Sequence, residues 1–178
     1  MSAHPKPENR PVAAAFVVGT GLDRHGKPLP VVGDEIKIKI SSQDTNGAFT
    51  VFEDVTPPLG GPPLHVHHVQ DEWWYILEGN FLFEVDGEEI HARAGDTVFA
   101  PHGSRHAYMN TGQTPARSLV TVVPGGLDLF FEELSAEAPT AAAAAADPEL
   151  IAYIFRRHGM ELLGPPLAAR TKSKISRL

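Results

Sequence analysis

Short stretches of alternating apolar and polar residues run from residue 11 to about residue 123. They are rich in β-branched and aromatic side chains, and Gly, Pro, Asp or Asn interrupts them every several positions. This pattern is typical of an antiparallel sandwich or barrel. EIKIKIS, residues 35–41, brings its three isoleucines to one face, and FTVFEDV does the same for Phe49, Val51 and Val55. We predict that each segment is a strand with those residues in the core.

The middle of this region predicts a hairpin and several further strands. EWWYILEG and FLFEVDG, residues 72–87, form a strand pair, and Asp86 and Gly87 are the residues that a tight type I′ turn needs for positive φ. Three more strands are predicted at Thr97 to Pro101, Arg105 to Thr111 and Ala116 to Val123. With about eight to ten strands, the predicted fold class is all-β, as a small antiparallel β-barrel.

The periodicity changes after residue 126 and predicts one or two short helices. An apolar stripe at helical spacing consists of Leu127, Phe130, Phe131 and Leu134. Asp147 and Pro148 form a good helix start, a capping acid followed by proline at the first helical position. A second apolar stripe then consists of Leu150, Ile151, Ile154 and Phe155, and it ends at Gly159. Both helices are predicted to pack on the sheets.

The chain divides into three predicted parts around one core. Residues 1–10 are a polar, proline-rich tail, and residues 11–134 are the barrel with its short packed helix. Residues 135–178 hold an Ala-rich linker, the second helix and a basic tail. The linker, residues 135–146, is either a helix extension or a mobile segment. The last nine residues, RTKSKISRL, are predicted to be a solvated tail without a function.

The composition narrows the range of functions. The length of 178 residues suits one ordinary domain, and a net charge of -7 offers nucleic acid no broad basic surface. The chain has no cysteine, so any bound metal must rest on histidine and carboxylate. No apolar stretch approaches a membrane span or a signal peptide. We therefore expect a soluble cytoplasmic protein with no nucleic-acid or membrane partner.

The segment HVHHVQDE, residues 65–72, carries the candidate chemistry. On a strand, His65 and His67 share a face while His68 points the other way. The next residues let the chain reverse, so that Glu72 begins a neighbouring strand and its carboxylate can return to the same ion. Two histidines and one carboxylate suit Fe, Mn, Ni or Co, with Zn as a further option. Taken alone, the histidines could equally belong to a polar surface strand.

A second segment, GDTVFAPHGSRHAYMN, supplies another candidate ligand. His106 lies there on a predicted strand with Tyr108 and Asn110 on the same face. His106 is the natural fourth ligand, and the set of three histidines and Glu72 favours one divalent metal over the surface-strand interpretation.

These two segments resemble the motifs of the cupin family. The second motif, G-x5-P-x-G-x2-H-x3-N, is filled at every fixed position, and the first is filled in its final part, H-x-H-x4-E-x6-G. The positions filled are Gly95, Pro101, Gly103, His106 and Asn110 in the second motif and His65, His67, Glu72 and Gly79 in the first. The leading glycine of the first motif would fall at Leu59, whereas the glycines here are Gly60 and Gly61. The sequence departs from the family pattern at that point.

The resemblance implies a jelly-roll barrel around one metal held by His65, His67, His106 and Glu72. The FFEEL segment and the DPEL to GPPL end are similar to bacterial single-domain cupins related to the quercetin dioxygenases. That similarity implies an oxygenase acting on an enolic or phenolic, flavonol-like small molecule, with Glu72 accepting the substrate's hydroxyl proton and dioxygen as co-substrate. The alternatives are a metal-dependent isomerase or decarboxylase of a sugar or keto acid, and a small-molecule-binding protein without catalysis.

The strand that follows Glu72 carries aromatic residues on both faces. Trp73, Tyr75 and Leu77 point away from Trp74 and Ile76, so both faces need a cover. One cover is the barrel interior, and the other is a terminal segment or a second subunit. The dimers common among cupins favour a homodimer. Candidate substrate-binding walls are Trp74, Ile76 and Tyr108, with a purely structural place in the core as the alternative.

Overall fold

The computed structural model describes residues 14–175. The predicted tail at residues 1–10 and the last three residues lie outside this range. The strands within it are β1 (Leu29–Val31), β2 (Asp34–Ile40), β3 (Thr50–Thr56), β4 (Pro63–His67), β5 (Asp71–Glu78), β6 (Asn80–Val85), β7 (Glu88–Arg93), β8 (Thr97–Ala100), β9 (Arg105–Asn110), β10 (Ala116–Val123) and β11 (Met160–Pro166). The helices are α1 (Leu127–Glu137), α2 (Ala141–Ala146), α3 (Pro148–Arg157) and α4 (Leu167–Ile175).

The strands form two antiparallel sheets. One has six strands in the order β1-β2-β3-β10-β5-β8, and the other has five in the order β11-β4-β9-β6-β7. From β3 to β6 and again from β7 to β11, consecutive strands lie in opposite sheets, as in a jelly roll, whereas β1 to β3 share one sheet and β6 and β7 share the other. The all-β prediction is confirmed. None of the helices in residues 14–175 is long and apolar enough to span a membrane.

The predicted pairing between the two segments of residues 72–87 is wrong, because β5 pairs with β10 and β8 in the six-stranded sheet, whereas β6 lies in the five-stranded sheet. The predicted turn at Asp86 and Gly87 is present, as a hairpin between β6 and β7. Its turn places Asp86 at a φ of 50° and Gly87 at a φ of 89°, which are the two left-handed conformations that a type I′ turn requires. The strand register confirms the turn, because Val85 pairs directly with Glu88.

The prediction for the core face of β3 is wrong. Phe52 is buried, as are the residues two positions before and after it on the same face. Val51 and Val55 are only half-buried, and Phe49 lies before the strand. The inward face carries Thr50, Phe52, Asp54 and Thr56. The alternation of hydrophobic residues failed because three of these inward positions are polar. By contrast, β2 buries Ile36 and Ile38 as predicted, although Ile40 at its end is only half-buried.

Both predicted helical stripes pack inward. The four apolar residues of the α1 stripe are buried, and α3 buries Ile151, Ile154 and Phe155. Asp147 caps α3 by accepting a hydrogen bond from the Leu150 N–H at 3.0 Å. The alanine run forms the separate short helix α2, capped by Thr140. The chain therefore has four helices in its described part, where one or two were predicted.

The segment after Gly159 differs from the prediction. It forms strand β11, which pairs antiparallel with the histidine strand β4, and then helix α4. Leu167 at the start of α4 is buried, and the Arg170 guanidinium lies 2.7 Å from the Glu84 carboxylate. The first part of the predicted solvated tail is therefore a helix docked on the five-stranded sheet.

Candidate metal centre

Both sheets contribute to a buried group of four polar side chains, which we call the histidine–glutamate cluster: His65, His67, Glu72 and His106. His65 and His106 are direct partners across β4 and β9. His67 lies two residues further along β4, on the same face. Glu72 reaches the group from β5 in the opposite sheet. Each residue offers one ligand atom, and these atoms lie within 4.8 Å of one another.

The ligand atoms face each other across a small buried space. The two Nε2 atoms of His65 and His67 are 3.1 Å apart. The Glu72 Oε2 atom lies 3.5 Å from His67 Nε2 and 3.3 Å from His106 Nε2. His67 and His106 are each only 2% exposed. Bulk water therefore does not reach the ligand atoms of these two histidines.

The other ring nitrogen of each histidine is held by an acceptor. The three acceptors are the carbonyl oxygens of Pro63 (2.9 Å from His65), Ser104 (3.1 Å from His106) and the Gln70 side chain (3.1 Å from His67). A carbonyl oxygen only accepts, so each Nδ1 carries the proton and each neutral ring leaves a lone pair on Nε2. The Gln70 amide N–H₂ donates to the Pro124 carbonyl at 3.3 Å, which turns its oxygen towards His67.

Three lone pairs and a carboxylate thus converge with no proton between them. Glu72 Oε2 and His106 Nε2 are buried and have no hydrogen-bond partner among the described residues. Protonating a ring would not resolve this, because burial and the neighbouring His106 and His67 hold the pKa of His65 well below 6.5. Burial also lowers the pKa of His67, against the opposing effect of Glu72. A buried His₃Glu group of this kind is compatible with a cupin metal site.

The predicted wall residues all lie in the core, at different distances from this cluster. Trp74 is next to it, with its ring centroid 5.6 Å from that of His106. Tyr108 packs against Trp74 at 5.9 Å. Ile76 is fully buried, one inward position beyond Trp74 on β5. The structure therefore brings Trp74 to the cluster, while Tyr108 and Ile76 lie deeper in the interior.

A wall residue that the sequence did not connect with the cluster comes from helix α3. The Phe155 ring meets the His65 ring edge-on, with centroids 5.9 Å apart. Phe130 of α1 supports Phe155 at 4.9 Å. The helical stripes predicted both residues as core, but no sequence signal linked either to a histidine more than sixty residues away.

A second buried polar group lies deeper in the same interior, and we call it the Asp54 cluster: Asp54, Thr56, Tyr108 and Asn110. The hydroxyls of Tyr108 and Thr56 both donate to the Asp54 carboxylate. Burial raises the pKa of Asp54 to about 6. The Asn110 amide donates to the Thr56 carbonyl at 2.9 Å and to the Thr114 carbonyl at 2.8 Å. The motif asparagine therefore ties strands together and does not join the ligands.

Two surface depressions lie away from both clusters. One, of about 440 Å³, surrounds Asn80 and His91 on β6 and β7. The other, of about 580 Å³, surrounds His25 and Glu132. Neither depression is lined by a residue predicted to bind metal or substrate.

Known proteins are similar to part of the chain. The cupin domain family matches residues 52–122. An oxalate-binding protein of Thermotoga maritima is 34% identical over 67 residues, which are 38% of this chain and 55% of that protein. Quercetin 2,3-dioxygenase of Bacillus subtilis is 29% identical over 106 residues, 58% of this chain and 31% of the enzyme. The chain thus spans only about a third to a little over half of these relatives.

A crystal structure from Thermotoga maritima, described as a predicted oxalate decarboxylase, has the same fold. It superposes with a TM-score of 0.54 at 25% identity, covering 62% of this chain and 99% of that one. The family match, the two-sheet jelly roll and the cupin motif residues at the cluster agree with one another. They identify residues 52–122 as a cupin domain.

Proposed function

We propose that the histidine–glutamate cluster binds one divalent first-row metal ion and that the protein is a dioxygenase acting on an enolic or phenolic small molecule, flavonol-like in character. The observation that carries the proposal is the convergence of three Nε2 atoms and a carboxylate in the interior, with Glu72 Oε2 and His106 Nε2 left without a hydrogen-bond partner among the described residues. A bound cation would stabilise these buried electron-pair donors, because none of the four residues supplies a proton donor to them.

A bound divalent ion would supply positive charge that favours the deprotonated form of an enol or phenol. Glu72 would accept the hydroxyl proton, because its Oε2 atom is free of hydrogen bonds and directed into the cluster. Trp74, beside His106, would form the part of the wall nearest an aromatic substrate, and Tyr108 and Ile76 would back it as the deeper part of this apolar wall. The burial of the cluster keeps water away from the proton transfer.

The similarity to quercetin 2,3-dioxygenase over 58% of this chain supports an oxygenase. The apolar and aromatic surroundings of the cluster support an aromatic substrate over a small dianion. We include dioxygen as the second substrate on the same grounds.

A second candidate function uses the ion only as a Lewis acid, in a decarboxylase or isomerase of a keto acid or sugar. The resemblance to an oxalate-binding protein and to the predicted oxalate decarboxylase favours this candidate. Only the oxygenase consumes dioxygen. A binding protein without catalysis would be stabilised by its ligand and release no product.

The test begins with protein purified without added metal. Its metal content is measured and the protein is then loaded separately with Fe²⁺, Mn²⁺, Ni²⁺ and Co²⁺. We expect one ion per chain and oxygen consumption when quercetin is added. Turnover of oxalate without oxygen uptake would favour the decarboxylase, and the absence of stoichiometric metal would overturn the proposal.

Glu72→Gln separates the two roles of the glutamate. The amide still offers an oxygen to the ion but cannot accept a proton, so we expect turnover to fall by about 10²–10⁴-fold while metal content falls much less. Glu78→Gln is the matched control, because Glu78 ends the same strand with its side chain 62% exposed. Equal loss of metal and activity in Glu72→Gln would leave Glu72 a ligand only.

A further inference from the structure

Part of the wall around the histidine–glutamate cluster comes from outside the cupin domain. Strand β11 follows that domain by more than thirty residues and covers the free side of β4. Met160 pairs with His67, and Leu162 pairs with His65. The His68 N–H also donates to the Gly159 carbonyl at 3.0 Å. Without β11, the strand that carries two ligands would be the edge of its sheet.

Helix α3 adds a side-chain contact to this backbone pairing. The Phe155 ring packs edge-on against the His65 ring at an interplanar angle of 82°. Phe155 is 5% exposed and Met160 is 1% exposed, so both help to seal this side of the cluster. The His65 ring is thereby held by the Pro63 carbonyl on its Nδ1 side and by an aromatic edge on the helix side.

The helix itself is fixed to the rest of the molecule. Phe130 supports Phe155 from α1, and the Glu133 carboxylate of α1 binds two residues at the end of α3. These contacts measure 2.7 Å to His158 and 3.0 Å to Arg157. These contacts with α1 fix the position of Phe155, so its ring can restrict the rotation of the His65 ring.

We propose that residues 148–166, which we call the C-terminal strap, control the exchange of the bound ion, with Phe155 as the positioning residue for His65. The proposal rests on the metal binding proposed above. An ion leaves such a site when a ligand ring turns away and water or a chelator enters. The strap opposes both steps, because it restricts the His65 ring and excludes water from its side of the cluster.

Release of Co²⁺ to excess EDTA tests the proposal, followed by the visible absorption of the bound ion. Phe155→Ala removes the ring edge and leaves a void beside His65, so we expect release to be about 10–100-fold faster, with one ion per chain still bound at saturation. Tyr153→Ala is the control on the same helix, since Tyr153 is 53% exposed. We expect it to release the ion at the wild-type rate.

Phe155→Leu is a second variant for the case in which Phe155→Ala does not fold. It keeps apolar volume but not the ring edge, so we expect an intermediate release rate and an altered Co²⁺ absorption spectrum. Wild-type release rates in both Phe155 variants would overturn the role of the strap, as would equal acceleration in Tyr153→Ala. Failure of the wild-type protein to bind Co²⁺ at one ion per chain would instead overturn the proposed function.

Discussion

The histidine–glutamate cluster and the Asp54 cluster are both polar, both buried and both built from inward-facing strand positions, but their hydrogen bonding differs. In the Asp54 cluster, hydroxyl and amide donors meet carboxylate and carbonyl acceptors, and one carboxylate oxygen, Asp54 Oδ1, is left without a partner among the described residues. In the histidine–glutamate cluster, every donor is directed outward and only acceptors face inward. Burial of polar groups alone therefore does not mark a binding site. The convergence of several acceptors with no donor among them does.

The largest expected effect concerns the pH dependence of the Asp54 cluster. Because the pKa of Asp54 is raised from 3.8 to about 6, the folded protein binds a proton between about pH 4 and 6 that the unfolded chain does not. The contribution of Asp54 to the free energy of unfolding should therefore decrease as the pH rises through this window. A shift of about two units corresponds to about 3 kcal/mol. Asp54→Asn cannot ionise and should lose this decrease.

The measurement is urea unfolding of wild type and Asp54→Asn from pH 4 to 7, with and without Co²⁺. We expect the stability difference between them to change by up to about 3 kcal/mol, in favour of the variant. Because the negative charge of Glu72 also raises the pKa of Asp54, the change should be smaller when Co²⁺ neutralises that charge. Asp44→Asn is the control, because the Arg24 guanidinium lowers the pKa of Asp44 to about 2, below the window. An equal change with and without Co²⁺ would show that the charge of Glu72 does not act on Asp54.

A smaller effect is expected from Gln70, which accepts the hydrogen bond of His67. Gln70→Leu removes the acceptor that fixes the proton on Nδ1, so the ring can present the wrong nitrogen to the ion. We expect Co²⁺ affinity to fall by about 10–100-fold, measured by competition with a chelator. Gln113→Leu, at an exposed position, should leave the affinity unchanged. Unchanged affinity in Gln70→Leu would mean that the outward hydrogen bond does not prepare the ligand.

The smallest effect is expected in the loop that packs on Asn110. Leu59 has a φ of 61°, a left-handed conformation in which only glycine is unstrained, and its N–H donates to the Asn110 carbonyl. Leu59→Gly should remove the backbone strain from the folded state, but it should also increase the conformational entropy of the unfolded chain. We expect a net increase in the free energy of unfolding of roughly 0.5–1 kcal/mol. Thermal unfolding should show a small increase in Tm and unchanged Co²⁺ affinity. A lower Tm would mean that the half-exposed Leu59 side chain contributes more than the strain costs.

The alternation of side chains along strands was enough to predict the four members of the histidine–glutamate cluster. His65 and His67 share a face in any strand, and His106 lies on the adjacent strand β9, as a strand ligand would. Glu72 was predicted on a neighbouring strand, but it reaches the cluster across the interior from β5 in the opposite sheet. The cupin motifs gave the same set. At Leu59, where the motif has glycine, the backbone has a φ of 61°, a conformation that glycine adopts without strain.

Other features depended on tertiary contacts that no local pattern encodes. Asp54 was missed because hydrophobic alternation assigns polar residues to the outside, whereas here Tyr108 and Thr56 supply its donors. Gln70 sat in a segment predicted only as a turn. Strand β11 has the sequence MELLGPP, whose glycine and prolines argue against a strand. It forms nevertheless because β11 lies at the edge of its sheet, where the pairing with β4 shifts register after Leu162.

The outer face of the six-stranded sheet still matches the homodimer prediction without testing it. Trp73, Tyr75 and Phe99 are 38%, 43% and 54% exposed on β5 and β8. Exposed aromatic residues of this kind are typical of surfaces that bind another protein. The homodimer stays a prediction, as does the three-part domain division.

The pairing of β11 with β4 also matters to anyone who shortens this chain. A fragment ending at the cupin domain boundary would keep all four candidate ligands but would leave the backbone N–H and C=O groups of β4 on one side without partners. Such an open strand pairs readily with the same strand of another molecule. Loss of solubility in that fragment would then reflect strand addition between molecules, even with its metal ligands intact.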